Sequence, residues 1–174
     1  MNLLTLLAQM IDMRSFSSLW FWLAVAVYWS LSSYWVLGVP IDLIHRAHAM
    51  GGEAVGDLEA MVRINSQRML HYARSGQAVL IGIVAFILTV LGLLGVAYRI
   101  ELAQALLFFF VPAIVQGLLA IRAARRIEAG EGQGEALFRR LFRHRITTQA
   151  MGVVAIFVTG LYGMYHNLLT QVSG

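Results

Sequence analysis

The sequence predicts an all-α protein: an integral membrane four-helix bundle with amphipathic cytoplasmic helices. Four apolar runs without Asp, Glu, Lys or Arg divide the chain. They cover residues 19–39, 77–98, 102–121 and 150–169. Each run has the roughly 20 residues that a helix needs to cross about 30 Å of hydrocarbon. The arginines between the runs are concentrated in alternate loops, a distribution typical of membrane proteins with a fixed orientation.

The charge distribution predicts the orientation. Loop 122–149 has seven arginines and three glutamates, which accounts for the whole net charge of +4. Loop 40–76 has four arginines and four acids, so eleven of the thirteen arginines lie in these two loops. Because arginines near helix ends resist translocation, both loops are expected in the cytoplasm. In a bacterium, the chain would then be a single multi-pass domain of the inner membrane, residues 1–174, with both termini periplasmic.

Shorter helices are expected before and after the first apolar run. Residues 3–13 have amphipathic spacing that predicts a helix at the outer membrane interface. Pro40 predicts a kink or a new helix directly after the first run. Residues 41–50 follow as a helix, and Gly51 and Gly52 break it.

The segment 53–75 has a second amphipathic pattern. Its apolar positions are Val55, Leu58, Val62, Met69 and Tyr72. Asp42 with Arg46, and Glu59 with Arg63, have the four-residue spacing that lets opposite charges pair on a helix. A charge-balanced loop of this kind suits a protein surface better than a lipid surface.

The second loop predicts a helix over 136–146 after a glycine-rich turn. The repeat Leu-Phe-Arg-Arg then Leu-Phe-Arg-His separates apolar from basic positions. Such a helix is expected to lie on the membrane, with Arg139, Arg140, Arg143 and Arg145 binding anionic lipid headgroups. Because the aromatic residues are on the apolar face, lipid rather than nucleic acid is the expected partner.

Four histidines lie near the cytoplasmic ends of the spans. They are His45, His48, His71 and His144, and Asp42 is one helical turn from His45. Imidazoles with a carboxylate could bind zinc or another divalent ion. The alternative is that they are polar residues of the membrane interface. Within the spans, only His166 is placed to bind haem, and one histidine cannot provide both axial ligands.

The centre of the membrane contains no charged residue. Pro112 predicts a kink in the third run, and Gln116 lies four residues later. This pair could serve transport, although transport pathways usually contain charged groups. No catalytic grouping can be assembled and the chain has no cysteine. We therefore expect a protein without catalytic activity and without a cofactor.

Several stretches of the chain resemble a family of small proteobacterial membrane proteins. They are 11–16 (Ile-Asp-Met-Arg-Ser-Phe) with Trp20 and Trp22, 35–40 (Trp-Val-Leu-Gly-Val-Pro), 62–65 (Val-Arg-Ile-Asn) and 124–126 (Ala-Arg-Arg). Members of this family are often labelled "component of SufBCD complex", after an iron–sulfur assembly scaffold. The resemblance implies a cytoplasmic protein partner. Without cysteine, the chain could dock such a complex but is poorly equipped to ligate its cluster.

These observations favour an accessory or scaffold subunit of an inner-membrane assembly, with other membrane or cytoplasmic subunits as partners. A small subunit or homo-oligomer involved in transport is the first alternative. A metal or haem binder at the cytoplasmic histidine layer is the second.

Overall fold

The computed structural model describes residues 18–172, which form six helices and one short hairpin. In chain order, the elements are α1 (Leu19–Tyr34), β1 (Trp35–Val36), β2 (Val39–Pro40), α2 (Ile41–Met50), α3 (Glu53–Ser75), α4 (Gln77–Gly92), α5 (Glu101–Arg126) and α6 (Gly134–Val172). Wider π-helical turns follow α4 at Leu93–Ala97 and α5 at Ile127–Glu131. The prediction of an all-α fold is confirmed. The predicted helix 3–13 lies outside the described residues.

Three helical stretches are long and apolar enough to cross a membrane: Gln77–Ala97, Glu101–Glu131 and Gly134–Leu168. They cover the second, third and fourth predicted spans apart from the last residue of the second and of the fourth. The first predicted span differs, because α1 has 16 residues and ends at Tyr34 instead of continuing to residue 39. At 1.5 Å per residue, α1 is about 24 Å long.

A tight hairpin ends α1. The antiparallel strands β1 and β2 pair Val36 with Val39, so that only Leu37 and Gly38 form the turn. Both turn residues have positive φ, 52° and 76° respectively, as a type I′ turn requires. Pro40 then directly precedes α2, because proline tolerates a helix start but not a helix interior. The predicted restart after Pro40 is confirmed.

Helices α2 and α3 have the predicted bounds, but the buried row of α3 differs from the predicted one. It consists of Ala54, Leu58, Val62, Ser66 and Leu70, while Tyr72 is 68% exposed. The buried row is set by the helices that pack on α3. The apolar pattern alone could not distinguish this row from its neighbour, because adjacent rows of a helix both contain apolar residues here.

Four helices form what we call the apolar layer: α1, α4, α5 up to residue 121, and α6 from residue 150. Helix α5 packs against both α4 and α6, and α1 packs against α6. Gly152 of α6 lies directly against the indole of Trp29 in α1. A β-carbon at this glycine would lie 2.8 Å from Cε3 of Trp29, so the close approach requires glycine.

Most of the remaining described residues form a compact unit on one side of the layer, which we call the cap. The cap comprises the hairpin, α2, α3, residues 122–133 and residues 134–149 at the start of α6. Its core is continuous and includes Val36, Val39, Ile44, Leu58, Val62, Leu137 and Leu141. We call the opposite side of the layer, where α4 turns into α5, the far end.

The predicted separate helix over 136–146 is corrected by the structure. These residues are the beginning of α6, which runs unbroken for 39 residues into the fourth predicted span. Leu137 and Leu141 are fully buried and Phe138 is 7% exposed, all within the core of the cap. The apolar face therefore packs on protein, because α2 and α3 cover it.

Candidate functional site

The cap hairpin is fixed by α3. The side-chain Nδ2 of Asn65 donates a hydrogen bond of 2.9 Å to the carbonyl oxygen of Gly38. Leu37 has positive φ, which is uncommon for a residue other than glycine, and its side chain is 7% exposed. The structure thus brings stretches 35–40 and 62–65 into contact at this turn.

One face of α3 remains uncovered. It consists of Asp57, Met61, Ile64, Arg68 and Tyr72, which we call the α3 stripe. Their spacing of three or four residues places them along one side of the helix. Met61, Ile64 and Tyr72 are 37%, 52% and 68% exposed, and the two charged residues are also exposed. The stripe combines three large apolar side chains with one acid and one base.

Charged contacts hold the second loop against α3. The Arg74 guanidinium lies 2.6 Å from a carboxylate oxygen of Glu128, and Glu59 accepts a hydrogen bond of 2.8 Å from the backbone N–H of Gly134. Within residues 18–172, the predicted ion pairs Asp42–Arg46 and Glu59–Arg63 are not formed. Asp42 instead accepts a hydrogen bond from the Tyr34 hydroxyl. Two acids of loop 40–76, Asp42 and Glu59, thus connect different elements instead of pairing within one helix.

The four predicted lipid-binding arginines do not form one uniform surface. Arg139 and Arg143 are exposed, whereas Arg140 is partly buried and forms an ion pair with Glu131. Arg145 is also partly buried, and its Nε has no hydrogen-bond partner among the described residues. Arg139 and Arg143 are therefore the most available for a headgroup, and lipid binding by this group stays a prediction.

The predicted histidine layer is spread over the cap. The rings of His45 and His48 lie 6.0 Å and 5.1 Å, between centroids, from Phe142 and Phe138. Within residues 18–172, no three His, Cys, Asp or Glu side chains come together as a metal site. His71 is exposed near the end of α3. The structure thus uses His45 and His48 for packing α2 against α6.

His144 has a different environment from the other three. It lies on α6, six residues before the predicted span over 150–169, and is partly buried. Burial lowers the pKa of His144 below its ordinary value of 6.5, because a desolvated imidazole favours its neutral form.

Pro112 and Gln116 lie in the middle of α5. Pro112, where the sequence predicts a kink, is inside the helix, and Gln116 accepts a hydrogen bond of 2.7 Å from the hydroxyl of Tyr28 in α1. The Tyr28 ring also contacts Phe109 of α5, at a centroid distance of 4.8 Å. The glutamine thus connects two helices of the apolar layer. A role in transport stays a prediction.

A groove of about 920 Å³ runs along α5 towards the far end, on a different side of the helix from the Tyr28 contact. Its sides are formed by α6 and by the π-helical turn after α4. Most of its surface is apolar, with Val111, Pro112, Val154 and Val158 among the lining residues. Arg99, Gln104, Tyr162 and His166 line its far end.

Three polar contacts join the elements around the groove. Gln104 donates a hydrogen bond of 2.8 Å to the carbonyl oxygen of Gly95 and accepts one of 3.0 Å from the Tyr162 hydroxyl. Glu101, in the first turn of α5, lies 3.8 Å from Nδ1 of His166. These contacts fix α4, α5 and α6 relative to one another.

Neither the α3 stripe nor the groove was among the predicted sites. Met61, Ile64 and Tyr72 do follow helical spacing, and this pattern could have indicated a second apolar face on α3. The groove has no comparable signal, because its lining comes from three separate parts of the chain.

Comparison of the chain with protein-family models, curated proteins and solved structures finds no match.

Proposed function

We propose that this protein is a non-catalytic accessory subunit of a bacterial inner-membrane assembly and that its cap docks a cytoplasmic partner protein. The observation that carries the proposal is the cap itself. It is a folded unit with its own buried core, built on helices long and apolar enough to cross a membrane. A unit of this kind presents a defined surface to the aqueous side of the membrane.

The orientation follows from the arginines. Eleven of the thirteen lie in loops 40–76 and 122–149, and these loops form most of the cap. The positive-inside rule therefore places the cap in the cytoplasm. The far end, with Arg99, would face the periplasm together with both termini. A four-helix membrane bundle completes this proposal, with α1 as the first span.

The α3 stripe is the proposed docking surface. Apolar side chains at i, i+3 and i+11, with Arg68 between the last two and Asp57 one turn before the first, match the way an amphipathic helix engages an apolar surface on a partner. Asp57 and Arg68 would fix orientation by pairing with opposite charges, since charge complementarity mainly supplies specificity. The family resemblance implies an iron–sulfur assembly complex as partner, to which a chain without cysteine would contribute docking alone.

Site-specific photocrosslinking in cells tests this proposal. A photoreactive residue at Ile64 should give one discrete crosslinked partner, whereas the same residue at Met50 should not. Met50 is the matched control because it is 69% exposed on α2 but lies outside the stripe. Met61→Glu should reduce the Ile64 crosslink by about tenfold or more, as loss of a central apolar contact does, and Met50→Glu should leave it unchanged.

Equal crosslinking from both positions would argue against a specific surface. Recovery of the protein alone and monodisperse from mild detergent, with no crosslink at Ile64, would contradict the accessory role. A reporter fused to Gly174 tests the topology separately: activity restricted to the cytoplasm would overturn it.

A further inference from the structure

We infer that the groove along α5, between α6 and the π-helical turn after α4, binds one phospholipid with an anionic headgroup, which Arg99 contacts at the far end. This inference rests on the proposed insertion into a membrane but not on the docking of a partner by the cap.

The shape of the groove fits an acyl chain. Its lining on α6 extends from Met151 to His166, about 22 Å of helix at 1.5 Å per residue. On α5, the lining extends from Gln104 to Pro112, about 12 Å by the same rise. The lining on α6 covers the roughly 15 Å that one leaflet contributes to the hydrocarbon core. An acyl chain that enters at the far end can therefore lie along α6 through the depth of one leaflet.

The walls suit this occupant. Val111, Val154 and Val158 supply apolar surface, and Pro112 lies beside them near the middle of α5. The contacts of Gln104 with Gly95 and Tyr162 hold the walls apart at a fixed spacing. The groove is thus preformed, which reduces the ordering that a ligand must impose.

Charge at the far end selects the headgroup. Arg99 is exposed and enters no ion pair with any residue in the described range 18–172. The nearby acid, Glu101, faces His166 and lies at the start of α5, where the helix dipole favours a negative charge. Arg99 is therefore the cation that remains for a phosphate, and guanidinium groups bind phosphate oxygens in pairs.

The probes are two phospholipids with the same acyl chains: phosphatidylglycerol, which is anionic, and phosphatidylcholine, which is zwitterionic. The full chain is reconstituted in nanodiscs that contain one of the two lipids. After release from the nanodisc, native mass spectrometry counts the lipid molecules that each protein retains. We expect one retained phosphatidylglycerol per protein. The expected preference over phosphatidylcholine is about fivefold, which corresponds to about 1 kcal/mol for one arginine near a membrane surface.

Two sets of variants separate the effect of the headgroup from that of the acyl chain. Arg99→Gln should abolish the preference, while Arg99→Lys and Arg126→Gln, an exposed arginine of the cap, should keep it. Val158→Trp fills the groove and should reduce retention of both lipids. Val153→Trp is the control, because Val153 is 68% exposed and does not line the groove.

Equal retention of both lipids by the unaltered protein would overturn the inference, as would an unchanged preference in Arg99→Gln. A dimer that Val158→Trp dissociates and Val153→Trp does not would show that a second copy occupies the groove, and would overturn it too. Failure of the cap to crosslink a partner leaves these outcomes unaffected. If cell fractionation recovered the protein outside the membrane fraction, that result would instead contradict both proposals.

Discussion

The cap and the apolar layer share α5 and α6, yet they are held together in different ways. In the cap, Leu58, Val62 and Leu137 are fully buried in one continuous core. In the layer, only 6% of the most apolar 18-residue segment of α5 is buried inside the protein, and the rest is at least partly exposed. The same helix thus passes from a region packed like a water-soluble domain into one whose apolar side chains face outward.

The difference shows which forces are available in each region. Burial of apolar surface away from water stabilises the cap. Apolar helices gain nothing comparable by leaving lipid, so close packing and hydrogen bonds have to join them. The layer has both kinds of contact: the Gly152–Trp29 approach, and the Tyr28–Gln116 and Tyr162–Gln104 hydrogen bonds. The layer is therefore specified by a few contacts and the cap by many.

The largest expected effect compares one leucine from each region. Leu58→Ala should destabilise the protein by about 2–5 kcal/mol, because it opens a cavity in the core of the cap. Leu118→Ala, at a residue of α5 that is 62% exposed, should change the unfolding free energy by less than about 0.5 kcal/mol. Denaturant unfolding in mild detergent measures both. Equal losses would show that the layer is packed as tightly as the cap.

The next effect compares two glycines of α6 within the layer. Gly152→Ala should cost about 1–3 kcal/mol, because the new methyl group would overlap the Trp29 indole. Gly160→Ala places its methyl 3.8 Å from Trp22, an ordinary contact, and should be nearly neutral. The midpoint of thermal unfolding distinguishes them. If Gly152→Ala is as stable as Gly160→Ala, α1 does not depend on this contact.

The smallest expected effect concerns the hydrogen bond between α1 and α5. Tyr28→Phe and Gln116→Leu should each destabilise the protein modestly, with a coupling energy of about 0.6 kcal/mol in the double mutant, as is common for hydrogen bonds between membrane helices. Unfolding of the two single variants and the double variant in the same detergent gives this energy. Strictly additive losses would mean that the two side chains act independently, despite their 2.7 Å separation.

Local chemistry made much of the fold predictable. Pro40 and the pair Gly51–Gly52 act on the backbone of their own neighbourhood, and the helix bounds at 41–50 and 53–75 are confirmed accordingly. The helical region at 136–146 was also predictable, but its surroundings were not. An apolar face at Leu137 and Leu141 is equally suited to lipid or to protein, and only the position of α2 and α3 decides between them.

The candidate sites were less predictable than the fold, since most depend on contacts between distant residues. The sequence indicates Gln116 through its position near Pro112, but its hydrogen bond to Tyr28 joins residues 88 positions apart. The histidines share a depth near the cytoplasmic ends of the predicted spans. Depth does not fix direction around a helix axis, and the structure turns His45 and His48 towards phenylalanines.

By itself, the sequence determined that the chain is helical, where α2 and α3 begin and end, and which loops carry the arginines. These properties follow from backbone preferences, hydrophobic period and charge, all of which are local. Only the tertiary structure decided that the loops form a cap with its own core, that one face of α3 stays open, and that a groove lies beside α5. Each of these depends on how helices pack side by side, and side-chain pattern alone leaves that packing open because several faces of each helix are apolar.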